Sequence, residues 1–223
     1  MGLISYTGTA AGVSADSPGS ATSLTDTWTH SGVSTRNGLA VVALFMVTAG
    51  GASSSVTCTY GGQSMTLHGV RLSGSGDSNR LALFTLLNPP TGSQTVTFNW
   101  TGLSFTLPGK PISGISTTYR NVASVSGYTN AGGYGTTASV SLTGVTANDF
   151  TLFAHARQTS TDFSAFSPTQ RYTVGMSTNA RTTVGDGTGN AGTVTSTATM
   201  SASDYWASHG LIVRRFAEGD FFG

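Results

Sequence analysis

The chain has 223 residues, of which 38% are hydrophobic and only 9% charged, against about 25% charged in an average soluble domain. Its formal net charge of +1 supplies no basic field to draw it to nucleic acid or an anionic membrane. The longest apolar run, residues 39–47, is too short to cross a bilayer as a helix.

A chain of this size and hydrophobicity can bury a core, so low charge does not signal disorder here. The start, Met1-Gly2-Leu3-Ile4-Ser5, lacks a basic region followed by an apolar core, so no signal peptide is expected. Residues 1–20 are small and polar and are expected to form a flexible N-terminal arm that orders on assembly. Beyond them, apolar spacings of three and four never persist, whereas period-two patterns recur between Gly, Asn, Asp and Pro. The alternation predicts strands over 23–30, 39–47, 55–60, 64–67, 80–87, 94–100 and 112–121. Further strands are predicted over 138–142, 150–156, 171–174, 181–184, 192–200 and 208–216. Residues 39–47 and 80–87 are apolar at successive positions and should be central strands covered on both faces.

The punctuation is specific. Gly61-Gly62 between Tyr60 and Gln63 reads as a tight hairpin, because two glycines supply the positive φ values of a primed turn. Asn88-Pro89-Pro90-Thr91-Gly92 cannot continue a ladder and should be a surface loop. Gly185 to Asn190 reads as another turn. Its alternate oxygen-bearing residues, from Asp186 to Asn190, are also the one arrangement resembling a weak calcium loop, although no bidentate acid follows at the required distance. The architecture expected is all-β: one antiparallel β-sandwich domain over 21–217, jelly-roll-like, with a short C-terminal tail over 218–223.

Chemistry-bearing residues are sparse. Cys58 alternates with Val56 and Tyr60 on one strand face and reads as a small buried hydrophobe. His30, His68, His155 and His209 form no metal-ligand spacing and read as loop or strand-surface residues, with His155, in Thr151-Leu-Phe-Ala-His-Ala, also readable as a half-buried strand residue. The acids sit in turn-like contexts, and Glu218 is the only glutamate. No serine has glycines at both positions needed for a nucleophile elbow. No catalytic, metal or cofactor site is therefore expected, and the chain reads as a non-enzyme. The tryptophans, with Trp100 and Trp206 the plainest cases, read as caps on a core or subunit interface. Tyr128 and Tyr134, in a glycine-rich segment that reads as an exposed loop, are the candidates for contact with a partner or glycan. Phe221 and Phe222 at the chain end read either as frayed or as docked into a neighbouring subunit. Arg214-Arg215 reads as an edge-strand charge.

The order of segments carries a resemblance. Leu39 to Phe45, Val56 to Leu67 with its Tyr-Gly-Gly-Gln-Ser-Met-Thr hairpin, and Leu81 to Thr97 with its Leu-Asn-Pro-Pro-Thr-Gly turn form a series. Val140 to Phe150 and Met200 to Leu211 complete it. Together they resemble a β-sandwich module of actinobacteriophage virion proteins, often labelled minor tail or structural proteins. The resemblance implies a viral structural protein, assembled in the host cytoplasm into a virion, with other virion proteins as partners. The expected role is a minor tail protein, a homo-oligomer touching its neighbours or host-envelope glycans, with no membrane insertion. The alternatives are a capsid decoration protein stabilising the head lattice and a secreted lectin-like carbohydrate-binding module.

Overall fold

The computed structural model describes residues 3–17, 23–31, 37–47, 54–74, 79–102, 110–159, 161–175 and 179–216. In chain order the strands are β1 (Ser5–Ser17), β2 (Ser23–His30), β3 (Leu39–Val47), β4 (Ser55–Tyr60), β5 (Gln63–Ser64) and β6 (Thr66–Leu72). Then come β7 (Asn79–Leu87), β8 (Gln94–Thr101), β9 (Lys110–Arg120), β10 (Ser124–Val145) and β11 (Asp149–Thr159). The last are β12 (Phe163–Ser167), β13 (Thr169–Gly175), β14 (Asn179–Thr188) and β15 (Gly192–Arg214). All pairings among them are antiparallel.

The fold is an all-β sandwich, but it has three sheets where two are expected from the sequence. The first sheet runs β1-β9-β3-β7-β6, the second β2-β8-β4-β5, and the third β10-β15-β11-β14-β13 with β12 also on β15. The reason lies in β3 and β7, which bury both faces. Leu39, Val41, Ala43 and Phe45 share one core with Leu152, Ala154, Leu211 and Val213 of the third sheet. Ala40, Val42, Leu44 and Met46 share another with Val56, Phe98 and Trp100 of the second. A strand apolar on both sides needs a cover on each, at about 1.5–3 kcal/mol of burial per large side chain. The first sheet is therefore the middle layer.

The third sheet makes a further layer by folding on itself. β10 and β15 form one long ribbon, in which Val145 lies opposite Gly192. Only a short turn later Asp149 lies opposite Arg214, at the other end of β15. Both are satisfied because the ribbon doubles back. Its crease lies where the register jumps from Gly135 opposite Asp204 to Thr137 opposite Thr199. The distal half lies on the outer face of the sheet, burying Val140, Leu142 and Val145 against Phe153 and Ile212.

Several expectations are corrected. The N-terminal segment is not free: over Ser5–Ser17 it is β1, paired along β9. Its small residues give no strong alternation, and the pairing comes from the partner strand. The Gly127–Gly135 stretch is not a loop but part of β10, and Gly185 to Thr188 is the end of β14. In both, glycines stand where neighbours come close: a Cβ at Gly185 would lie 2.2 Å from the Phe166 ring. Arg214 closes β15, which runs between β10 and β11, so it is not an edge charge. It meets Ser126 at 2.9 Å and Asp149 at 3.7 Å.

The hairpin after β4 is as expected, with φ of +57° at Gly61 and +78° at Gly62. At Gly61 a Cβ would also lie 2.4 Å from Gln94 Oε1 and 2.6 Å from Pro90 Cγ. Gly61→Ala should therefore cost about 1–2 kcal/mol, the penalty of a left-handed L residue. A urea titration checks this, and an unchanged midpoint would refute it.

Candidate functional site

The sequence points to two tyrosines, and the structure separates them. Tyr128 lies in β10, half-buried rather than exposed on a loop. Its ring stacks between His68 and His209, at centroid distances of 5.8 Å and 5.6 Å. Its hydroxyl donates to His209 Nδ1 at 2.8 Å and accepts from Asn130 Nδ2 at 3.2 Å. A Cβ on Gly69 would strike that hydroxyl at 2.2 Å, so glycine there admits the ring. Burial raises the Tyr128 pKa. Tyr128 thus joins β6 of the middle sheet to β10 and β15 of the third.

Tyr134 is the exposed one, 64% accessible. It stands directly opposite Tyr205 next to the ribbon crease, with ring centroids 4.9 Å apart at 57°. Tyr205 packs against Gly74, where a Cβ would be 2.3 Å from its ring. The pair offers an aromatic face for stacking on a sugar or a neighbouring side chain. Phe221 and Phe222 lie outside the described residues, as does Glu218. Trp100 is buried in the core between the first two sheets, and Trp206 packs beside Phe163 and Met200 under the distal ribbon.

The histidines are where sequence reading and structure differ most. His30, His155 and His209 are fully buried, and each ties one layer to another. His30 of β2 reaches across to β9, with Nδ1 2.8 Å from Ser116 Oγ and Nε2 3.2 Å from Thr118 Oγ1. Ser116 Oγ also accepts the indole N–H of Trp28 at 2.9 Å. His209 of β15 donates from Nε2 to the Leu81 carbonyl of β7 at 2.8 Å, leaving Nδ1 to accept from Tyr128.

His155 of β11 spans the folded ribbon, lying 2.7 Å from Ser208 Oγ and 2.8 Å from Ser196 Oγ. Ser196 spends its own proton on the Ser167 carbonyl at 2.6 Å. His155 must therefore donate from Nε2 and accept at Nδ1. His68 is half-buried and bonds Thr85 Oγ1 at 2.8 Å within its own sheet. Burial pushes His30 and His209 down to about 4 and His155 down to about 3, so all three are neutral at pH 7.

Asp204 and Asp186 are spent in the same way. Asp204, at the crease, accepts from Arg157 Nε at 3.0 Å and from the Thr159 amide at 2.9 Å. It also accepts from the Thr159 hydroxyl at 3.0 Å and the Tyr205 amide at 2.8 Å. Asp186 is fully buried in β14 rather than in a turn, and Arg171 grips both its oxygens at 2.7 Å. The Arg171 guanidinium also lies over the Tyr6 ring at 5.0 Å, linking the edge of the third sheet to β1. Among the described residues no three His, Cys, Asp or Glu side chains cluster as metal ligands. Asp149 opens β11 and closes the turn before it, accepting from the Thr146 amide at 2.8 Å.

Cys58 is buried on the inward face of β4, as alternation predicts, and burial pushes its thiol up to about 12. It should ignore a thiol-specific reagent in the native protein and react stoichiometrically in denaturant. Rapid native labelling would contradict this burial. No family model, curated protein or solved structure matches the chain.

Proposed function

We propose that the chain is a non-enzymatic structural protein of a bacteriophage particle, most specifically a minor tail protein that contacts neighbouring virion proteins and the host envelope. The observation that carries this reading is how its reactive side chains are used. Three histidines join one β layer to another, and the Arg157–Asp204 and Arg171–Asp186 pairs fasten the crease and a sheet edge. Side chains able to do chemistry are spent on holding layers together, which suits a scaffold. The hydroxyl-rich, charge-poor composition and the resemblance of the Tyr60–Gln63 hairpin and Asn88–Gly92 turn to actinobacteriophage virion modules support it further.

In this reading the protein is assembled in the host cytoplasm and leaves in the particle. Tyr134, exposed and packed against the half-buried Tyr205, is the surface offered to envelope glycans. Antibody labelling with gold on purified particles tests the proposal. Label on the tail is the expected result. Label over the head would replace it with capsid decoration, and no label on intact particles would overturn the virion reading in favour of a secreted lectin-like module.

A further inference from the structure

An exposed sheet edge is a row of unpaired N–H and C=O groups that invites another strand, and soluble proteins guard such edges with charge, proline or brevity. Most edges of this fold carry a guard. β2 turns Asp26 to its inward side, β6 holds Arg71, β13 holds Arg171, and β1 includes Asp16. β5 has only 2 residues, and β12 has 5 and runs straight into Pro168. β10 has none of these: its 22 residues include no Asp, Glu, Lys, Arg or Pro.

The two halves of β10 differ. The proximal half lies close to β6, where a Cβ on Gly132 would sit 2.4 Å from the Leu72 carbonyl. In the distal half, residues 137–142 pair in unbroken register with β15 on one side. Among the described residues no strand pairs on the other. Ala138, Val140 and Leu142 are buried beneath, while Thr137 and Ser141 are exposed above.

We propose that a second copy of this chain adds its own residues 137–142 to this edge, antiparallel, so that two distal ribbons become one continuous sheet. The edge fits itself. A two-fold axis perpendicular to the sheet keeps each apolar side chain on the inner face and each hydroxyl on the outer face in both copies. An edge without charge meets its own copy with no like-charge repulsion, whereas a charged partner would find nothing to answer it. The assembly does not depend on where the protein works, so it stands or falls separately from the virion reading.

Light scattering on the eluting protein tests it. The wild type should run at twice the chain mass of 22.7 kDa. With Val140 opposite its own copy, a register that keeps every face matched, Ser141→Lys should run as the monomer, and so should Ser141→Asp, because each sets two like charges diagonally across the new pairing. Mixing the two variants should restore the dimer, which a merely misfolded variant could not do. Thr57→Lys, on the exposed face of β4, should remain dimeric. Amide exchange on the wild type gives a second reading: protection over 137–142 should rise with protein concentration. A wild type that stays monomeric, Ser141 variants that keep the wild-type mass, or concentration-independent exchange would each overturn the proposal.

Discussion

Asp204→Asn is expected to destabilise the protein by about 3–5 kcal/mol, the usual cost of leaving one member of a buried ion pair uncompensated. Asp204 and Arg157 are 6% and 1% accessible in their side chains, so neither can turn to water for a replacement. One carboxylate oxygen of Asp204 collects Arg157 Nε and both polar groups of Thr159, and the other takes the Tyr205 amide. The asparagine amide would offer one acceptor in place of two, and its NH2 would face either Arg157 and Thr159 or the Tyr205 amide N–H, donor against donor. The loss falls on the crease, where β15 leaves one layer for the next. The distal ribbon should therefore loosen before the middle sheet does. Equilibrium urea unfolding of the variant measures the cost, and amide exchange locates it. A loss under about 1 kcal/mol, as for an exposed pair, would show that the crease is not held this way.

The second large effect is acid unfolding. His30 and His209 have folded-state values near 4 and His155 near 3, against an ordinary value of 6.5. Burial is the first cause in each. For His155 the positive charge of a protonated His209 adds to it; for His209 the hydrogen bond to the Leu81 carbonyl opposes it, and the neighbouring His68 and Arg71 add to it. A depressed histidine value means that the unfolded chain takes up protons from pH 6.5 downward while the native chain does not. Stability is then full above that pH and falls as the pH drops toward 4. At about 1.4 kcal/mol per unit for each group, the combined loss is on the order of 5–10 kcal/mol. That is comparable with the whole stability of an ordinary domain. Urea midpoints at pH 7.5 and pH 4.5 should differ accordingly, with unfolding near pH 4 even without denaturant. Equal midpoints would mean that these rings are already open to solvent.

Much of the fold is legible in the residues. Strands over 23–30, 39–47 and 55–60 match β2, β3 and β4 end to end, because the first and last alternate clearly and the middle one is an unbroken apolar run. The two-sided burial of β3 follows from nine successive apolar positions. What is not legible comes from partners. β1, β12 and the first half of β10 are built largely from Gly, Ala, Ser and Thr and have little pattern of their own. They are strands because β9 and β15 offer them ladders. The doubling of the ribbon is equally hidden, since a crease changes which face is covered without changing the period.

The histidines show the same limit, yet a signal was present. His30 shares a strand face with Trp28, His209 with Leu211 and Val213, and His155 with Phe153. Alternation alone places each ring inward. Only the neighbouring layer, with Ser116, the Leu81 carbonyl and Ser196, explains how an inward histidine is satisfied. Tyr134 was recognisable by type, whereas its pairing with Tyr205 required the register of β10 on β15.

The central claim is that His30, His155 and His209 are architecture, each locked neutral between layers. Nitrogen-15 chemical shifts of the imidazole rings, followed from pH 7.5 toward 4, test it most directly. The structure predicts that His155 and His209 hold the Nε2–H tautomer and do not titrate until the fold itself is lost. Either ring titrating near pH 6.5 in the folded protein would contradict the account.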